Sequence, residues 1–444
     1  MQLLVAVVIG IVLLLGLIVR AKWPAFIALL TAAVVVGLLA GMPATDILKS
    51  MEKGMGQTLG YVATIVGLGA IFGGILEKTQ GSQVIAQALL RVFGLQKAAS
   101  AMAVAGFIIA IPVFFDVAFI ILYPVLGALQ RKTGKSILHF ALPLLAGLAV
   151  AHAFVPPTPG PIAVAQILGA DLGWVILAGL VVGFPTAIIS GVWLGRYLAN
   201  SVKTVLPEPV KEIPDTRPMP AAGLLFAIVF LPIVLILFNT CINADLFFVS
   251  SGALKNTASL IGHPFSALLI ANVLAWYLLG RRSGFTSAEL ADISARSFQP
   301  AGIIILVTGA GGVFKQILVD TGAGEMLAKS ADAAHIPVIV FAFVAAATVR
   351  LLQGSATVAM TTAAGIAAPL VLEAGLSGLQ LAAVVTAIAS GASILSHVND
   401  SGFWLVKEYL GLSERQTFQS WSLLTTGLAL AGFVLSCGLF YVAG

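Results

Sequence analysis

Long apolar runs, separated by short polar or proline-containing interruptions, organise this chain of 444 residues. Ala221 to Ala244 carries no charged residue and is long enough to cross ~30 Å of hydrocarbon as a helix. Runs of this kind recur along the whole sequence, so the apolar part is the body of the protein and not an anchor. Leu3 to Val19 has no basic stretch before it and no small-residue cleavage pattern after it. It reads as a retained helix, not a signal peptide. The pattern predicts an all-α polytopic membrane protein.

The clearest break is Ser201 to Pro220, where five prolines and six charged residues predict an aqueous linker. The sequence on its C-terminal side repeats the sequence on its N-terminal side. At a spacing of 242 residues, Gly67, Gly69, Phe72, Ile75, Leu76 and Thr79 meet identical residues at Gly309, Gly311, Phe314, Ile317, Leu318 and Thr321. The same spacing pairs Gly60 with Gly302, Gly160 with Gly402, and Leu168-Gly169 with Leu410-Gly411. A spacing of 240 pairs Pro24 with Pro264, each opening a helix. The predicted organisation is an N-terminal half over 1–200, a linker over 201–220 and a C-terminal half over 221–444.

Charge then sets orientation. With the linker cytoplasmic, 17 Lys and Arg face the cytoplasm, four (Lys49, Lys53, Lys255, Lys329) face the periplasm, and Lys315 and Arg350 lie within the membrane. Such an excess is what the positive-inside rule expects. Both termini then come out periplasmic. Segment 98–130 has basic residues at both flanks and an interruption at Pro112, so it reads as a re-entrant hairpin. Its counterpart, 337–373, breaks around Gln353-Gly354-Ser355 and enters from the periplasm. Interrupted helices are expected over about 136–171 and 378–411. The sum is ten crossings plus two hairpins, with the halves inverted because one extra helix separates them. Inverted repeats with broken helices mark secondary transporters, whose sites form where the repeats meet.

Irregular backbone at membrane depth is tolerated only where protein or a water-filled cavity satisfies it. Four such places stand out: Ile111 to Asp116, Arg350 to Thr357, Val155 to Pro161 and Ser396 to Gly402. Freed amides at half-helix N-termini favour anions, which suits a small carboxylate with polar groups along its length. Arg350 is the candidate counter-ion, with pairing to Asp116 or another internal acid as the alternative. Gln353, Ser355 and Thr357 can donate and accept hydrogen bonds to hydroxyls, or can cap the hairpin. Asn399 and Asp400 offer the same choice at the opposite break, and Thr158 and Gly160 stand in the proline-rich break. Asp116, His152 and His397 are the candidates for carrying a proton; a buried histidine can equally be a packing residue. Lys315 reads as snorkelling from a helix end.

Other classes fit poorly. The net charge of +5 has its explanation in topology, and no basic cluster with interleaved aromatics suggests nucleic acid. Cys241 and Cys437 have no metal-ligand spacing, no Walker A pattern is present, and no HExxH occurs, so neither metal, cofactor nor ATP is expected. Nothing pairs a nucleophile with a positioned base, as an intramembrane enzyme would require.

Gly262 to Leu269, Gln299 to Gly322, Arg350 to Ala359, Ser396 to Trp404, Met51 to Gly60 and Pro156 to Pro161 together resemble the gluconate permease family over nearly the whole chain. The resemblance implies a proton-coupled symporter for gluconate or a related sugar acid in a bacterial inner membrane. It also implies the wider ion-transporter superfamily, whose folds are homodimers with a scaffold and an elevator-like transport domain. The family also holds permeases for L-idonate, fructuronate and D-serine, so these ligands, and sodium coupling, stand as the alternative. Some relatives carry a histidine in the proline-rich motif where this chain has Thr158, a difference placed to affect ligand choice.

Overall fold

A computed structural model describes residues 2–202, 217–244, 252–323 and 336–444. Most of the linker over 201–220 lies outside the described residues, as does Lys329. All regular structure among the described residues is helical.

The first part of the chain forms α1 (Gln2–Val19), α2 (Ala25–Leu39), α3 (Ala44–Lys78) and α4 (Gly81–Phe93). There follow α5 (Ala98–Ile109), α6 (Phe115–Thr133), α7 (Leu138–Phe154), α8 (Pro159–Leu168) and α9 (Leu172–Ser201), the last with a π turn at Ile188–Leu194. Beyond residue 217 come α10 (Ala222–Asn243), α11 (Gly252–Gly262), α12 (Pro264–Arg281) and α13 (Ser287–Asp320). The chain ends with α14 (Val338–Gln353), α15 (Ala356–Glu373), α16 (Gly378–Ala392), α17 (Ser401–Tyr409) and α18 (Glu414–Val442), the last with a π turn at Phe418–Ser422. Among the described residues, eight helices are long and apolar enough to cross a membrane, counting α7 and α8 as one. Shorter apolar helices such as α2, α14 and α16 add to them.

Helix ends follow the local chemistry. Thr286 with Glu289, Ser377 with Gln380, and Ser413 with Gln416 form reciprocal caps that satisfy the first free amides of α13, α16 and α18. Pro24, Pro43 and Pro337 stand just before α2, α3 and α14, where the next residue begins the helix. Some ends recur at the 242-residue spacing. Lys78 and Asp320 close α3 and α13, Thr158 and Asp400 cap α8 and α17, and Asp171 and Ser413 cap α9 and α18.

The core sits where α3 crosses α13 and where α5 and α14 pack on α7 and α16. At the α3–α13 crossing the backbones nearly touch: a Cβ on Gly54 would come within 2.6 Å of the Gly312 carbonyl oxygen. Small residues permit this approach, which tight helix association in a membrane requires. A bend of 114° separates α4 from the helical segment containing α5. The interruptions that matter for function are at 110–114 between α5 and α6, 155–158 between α7 and α8, 354–355 between α14 and α15, and 393–400 between α16 and α17.

Candidate functional site

Three of these interruptions converge on one cavity of about 520 Å³. Its wall is made by Phe114 to Val117, by Arg350 and 353–357, and by Ser393 and Asn399 to Gly402. His152 of α7, Pro300 of α13, and Trp421, Thr425 and Leu428 of α18 also line it. The volume lies within the ~300–1,000 Å³ typical of small-molecule sites. The first residues of α6, α15 and α17 all lie on this wall, so three helix N-termini present amides and positive dipole ends to one space.

Arg350 is in the last turn of α14 and only 4% exposed. Its Nη2 donates to Asp400 Oδ2 at 2.5 Å. Its Nε and Nη1 are buried and have no partner among the described residues. Leaving charged donors unpaired in a buried place is costly. Gln353 Oε1 and His152 Nδ1, from residues on the same wall, are likewise buried without a partner among the described residues. The cavity therefore offers both donor and acceptor positions that the chain itself leaves unfilled.

Asp400 is held three ways. Its Oδ1 accepts the Gly402 amide at 3.2 Å, which caps α17, and its Oδ2 accepts from Arg350 and from the Ser396 hydroxyl. The partner of Arg350 is thus the second-break acid, fifty residues away in sequence, and not Asp116. Asp116 stands in the first turn of α6 and is exposed on the cavity wall. Ser355 caps α15, accepting the Val358 amide at 3.4 Å, and Thr357 is the second residue of that helix. Asn399 Nδ2 donates to the Leu351 carbonyl at 3.2 Å, and His397 Nε2 lies 2.9 Å from the same oxygen. These bonds tie the 393–400 interruption to the last turn of α14. Gly354, between the two, has φ +92°, and a Cβ there would come within 2.6 Å of the Asn399 carbonyl carbon. Only glycine suits both the left-handed backbone and the contact.

The structure brings Arg350, Gln353, Ser355, Thr357, Asn399, Asp400, Asp116 and His152 onto one wall. It keeps His397, Thr158 and Gly160 off it. The His397 ring faces the Leu351 carbonyl, and the Thr158 hydroxyl donates to Val155 O at 2.6 Å. Gly160 is buried beneath Met360 of α15. The physical reason is that α8 closes against α15, so the first break is covered. Beside it remains a space of about 20 Å³, which His152 and Thr158 line with Pro112 and Pro157.

Phe115, Ser396, Trp421 and Thr425 also contribute, and none of them is a candidate from the sequence. Trp421 stacks on Phe115 with ring centres 5.6 Å apart. Its indole Nε1 donates to Ser396 Oγ at 2.7 Å, and the Ser396 amide donates to Thr425 Oγ1 at 3.0 Å. Ser396 stands inside a break that the sequence marks out. Trp421 has no such signal, because the π turn that places it in α18 has no proline or glycine to announce it.

Comparison with known proteins adds the lineage. Residues 1–442 match the family described as GntP family permease. A low-affinity gluconate transporter of Escherichia coli K12 is 40% identical over 428 residues, covering 96% of this chain and 95% of that protein. A gluconate permease of Pseudomonas aeruginosa is 40% identical over 436 residues, covering 97% and 96%. Among solved structures, the YdaH transporter of Alcanivorax borkumensis matches with a TM-score of 0.65 at 16% identity, covering 94% of this chain and 97% of that one. That likeness concerns the fold.

Proposed function

The chain belongs to the GntP permease family, and from that premise we propose that it imports gluconate or a closely related sugar acid by proton symport. The observation that carries the reading is Arg350, a buried guanidinium with two donors lacking partners among the described residues, on the wall of a cavity large enough for such a ligand. A carboxylate supplies the acceptor that those donors lack, in a charge-assisted hydrogen bond. The helix N-termini beside it favour the same charge. Gln353, Ser355, Thr357 and Asn399 meet the hydroxyls of the sugar acid.

Charge balance supports the proton. Among the described residues that line the cavity, Arg350 is the one Lys or Arg, against the two acids Asp116 and Asp400. An incoming carboxylate raises the imbalance, and uncompensated charge at membrane depth is costly. A proton taken up with the anion, on Asp116 or His152, offsets it. His397, turned to a carbonyl, is the less suited of the two histidines.

The recurrence of helix ends at a spacing of 242 supports reading 1–200 and 221–444 as inverted repeats around this site. Hairpins then occupy 98–130 and 337–373, within ten crossings of a bacterial inner membrane. The excess of Lys and Arg on one side supports a cytoplasmic linker and periplasmic termini. A homodimer with elevator-like motion rests on the resemblance to the superfamily, and Thr158 and Gly160 act on the ligand only in a conformation that opens the first break. The protein in this reading carries solute and performs no covalent chemistry.

Uptake of labelled gluconate into proteoliposomes under an inward proton gradient tests the reading. Accumulation without sodium, abolished by an uncoupler and competed by unlabelled gluconate but not by D-serine, is the expected result. Folded protein that accumulates no gluconate would overturn it.

A further inference from the structure

Arg350 has a divided allegiance: it is bound to Asp400, yet it must turn donors to a ligand. What lets one guanidinium serve both is the set of groups that hold Asp400 from the other side. We infer that Ser396 and Trp421 are positioning residues for carboxylate binding, acting through Asp400 on Arg350. The inference rests on the sugar-acid reading above.

The argument is one of hydrogen counting. A serine hydroxyl has a single proton and can accept through its lone pairs, whereas an indole N–H can only donate. Trp421 Nε1 donates into Ser396 Oγ at 2.7 Å. The serine oxygen is thereby the acceptor in that bond, and its own proton is left for Asp400 Oδ2, with which it is in hydrogen-bond contact. The indole thus fixes which way the hydroxyl points. Ser396 is fully buried and Trp421 is 3% exposed, so water does not compete for either group.

Backbone bonds lock the serine in turn. Its amide donates to Thr425 Oγ1 at 3.0 Å, and its carbonyl accepts from the Ser422 hydroxyl. Ser396 is therefore fastened to α18 at three points and to Asp400 at a fourth. Asp400 retains the Ser396 hydroxyl and the Gly402 amide when Arg350 turns towards a ligand. A carboxylate that keeps two donors loses less when a third is withdrawn, so Arg350 is released at lower cost. Without Ser396, Asp400 depends more on Arg350 and competes harder with the incoming carboxylate.

The same indole ring stacks on Phe115, which adjoins Asp116 at the start of α6. One side chain therefore touches both the first hairpin tip and the hydrogen-bond chain that ends on Arg350. A change in the position of that tip is felt at the carboxylate-binding group.

The test pairs uptake with a signal that does not depend on any ligand. Ser396→Ala should raise the apparent KM for gluconate by about tenfold, the loss expected for one hydrogen bond to a charged group, with maximal rate little changed. Ser396→Thr, which keeps the hydroxyl, should restore most of the affinity. Trp421→Phe keeps a ring against Phe115 and removes the donor, so its shift should be smaller and in the same direction. The six tryptophans give separate indole ¹⁵N–H signals, and Trp421→Phe identifies the one of interest. Ser396→Ala should move that signal. An unmoved indole signal overturns the relay, whatever the ligand. A moved signal with wild-type KM overturns the positioning role. Absence of gluconate uptake by the unaltered protein condemns the sugar-acid reading instead, while the indole signal still decides whether the relay exists.

Discussion

The helices that follow the first break and the second differ in how tightly they are packed, although α16, which leads into the second, is itself buried from Ala382 to Ala392. Around the first, α8 is buried at every position but Gln166, and α15 is buried without interruption from Ala359 to Val371. Around the second, α6 buries only one stripe, including Ala118, Phe119, Leu122 and Leu126, and α17 buries Gly402, Phe403 and Val406. The cavity lies on the looser side. Sequence repetition at 242 residues does not, then, impose equal packing. The proposed reading as symmetry-related repeats expects this inequality, since access from one face requires that one pair close while the other parts.

The largest effect bearing on this contrast belongs to Arg350 on the open side. Arg350→Gln should lower gluconate uptake efficiency at least ~100-fold, and should also lower stability, because Asp400 then keeps only the Ser396 and Gly402 donors. Adding Asp400→Asn should return thermal stability without returning uptake. Recovered uptake in the double variant would remove the counter-ion role.

The histidines come next. His152→Gln or Asp116→Asn, whichever removes the proton carrier, should abolish proton-driven accumulation while gluconate counterflow persists. His397→Gln preserves an amide donor for the Leu351 carbonyl and should stay within about twofold of the parent. Equal losses would mean that position relative to the cavity is not what separates them.

A direct reading of open against closed uses single cysteines after Cys241 and Cys437 are replaced by serine. Thr357→Cys should react with a hydrophilic thiol reagent at least about tenfold faster than Thr158→Cys, which sits in close-packed protein. Equal rates would erase the comparison. The smallest effect is expected at Gly160→Ala, whose added methyl meets the flexible Met360 side chain. It should cost about 1 kcal/mol, seen as a small fall in melting temperature, and should speed labelling at Thr158→Cys.

Much of this architecture is legible in the amino-acid sequence alone. Apolar runs predict an all-helical membrane body because lipid leaves no other use for them, and proline and glycine mark the interruptions because backbone chemistry is local. Arg350 stands out because an arginine at that depth needs a partner. The identity of that partner is not legible: Asp400 approaches only after α14 and α17 are placed. Thr158 and Gly160 show the limit from the other side. They sit 242 residues before Asp400 and Gly402, yet they lie under α15, since a repeat in sequence says nothing of which copy is closed. The bond from Trp421 to Ser396 depends on a π turn whose residues look like ordinary helix.

The close approach at Gly354 has a consequence for how ligand preference can diverge along this lineage. That position is barred from contributing a side chain, so the 354–355 interruption is retuned through its neighbours, Gln353 and Ser355. Libraries built to shift the protein from one sugar acid to another should leave 354 untouched and spend their diversity on the two residues beside it.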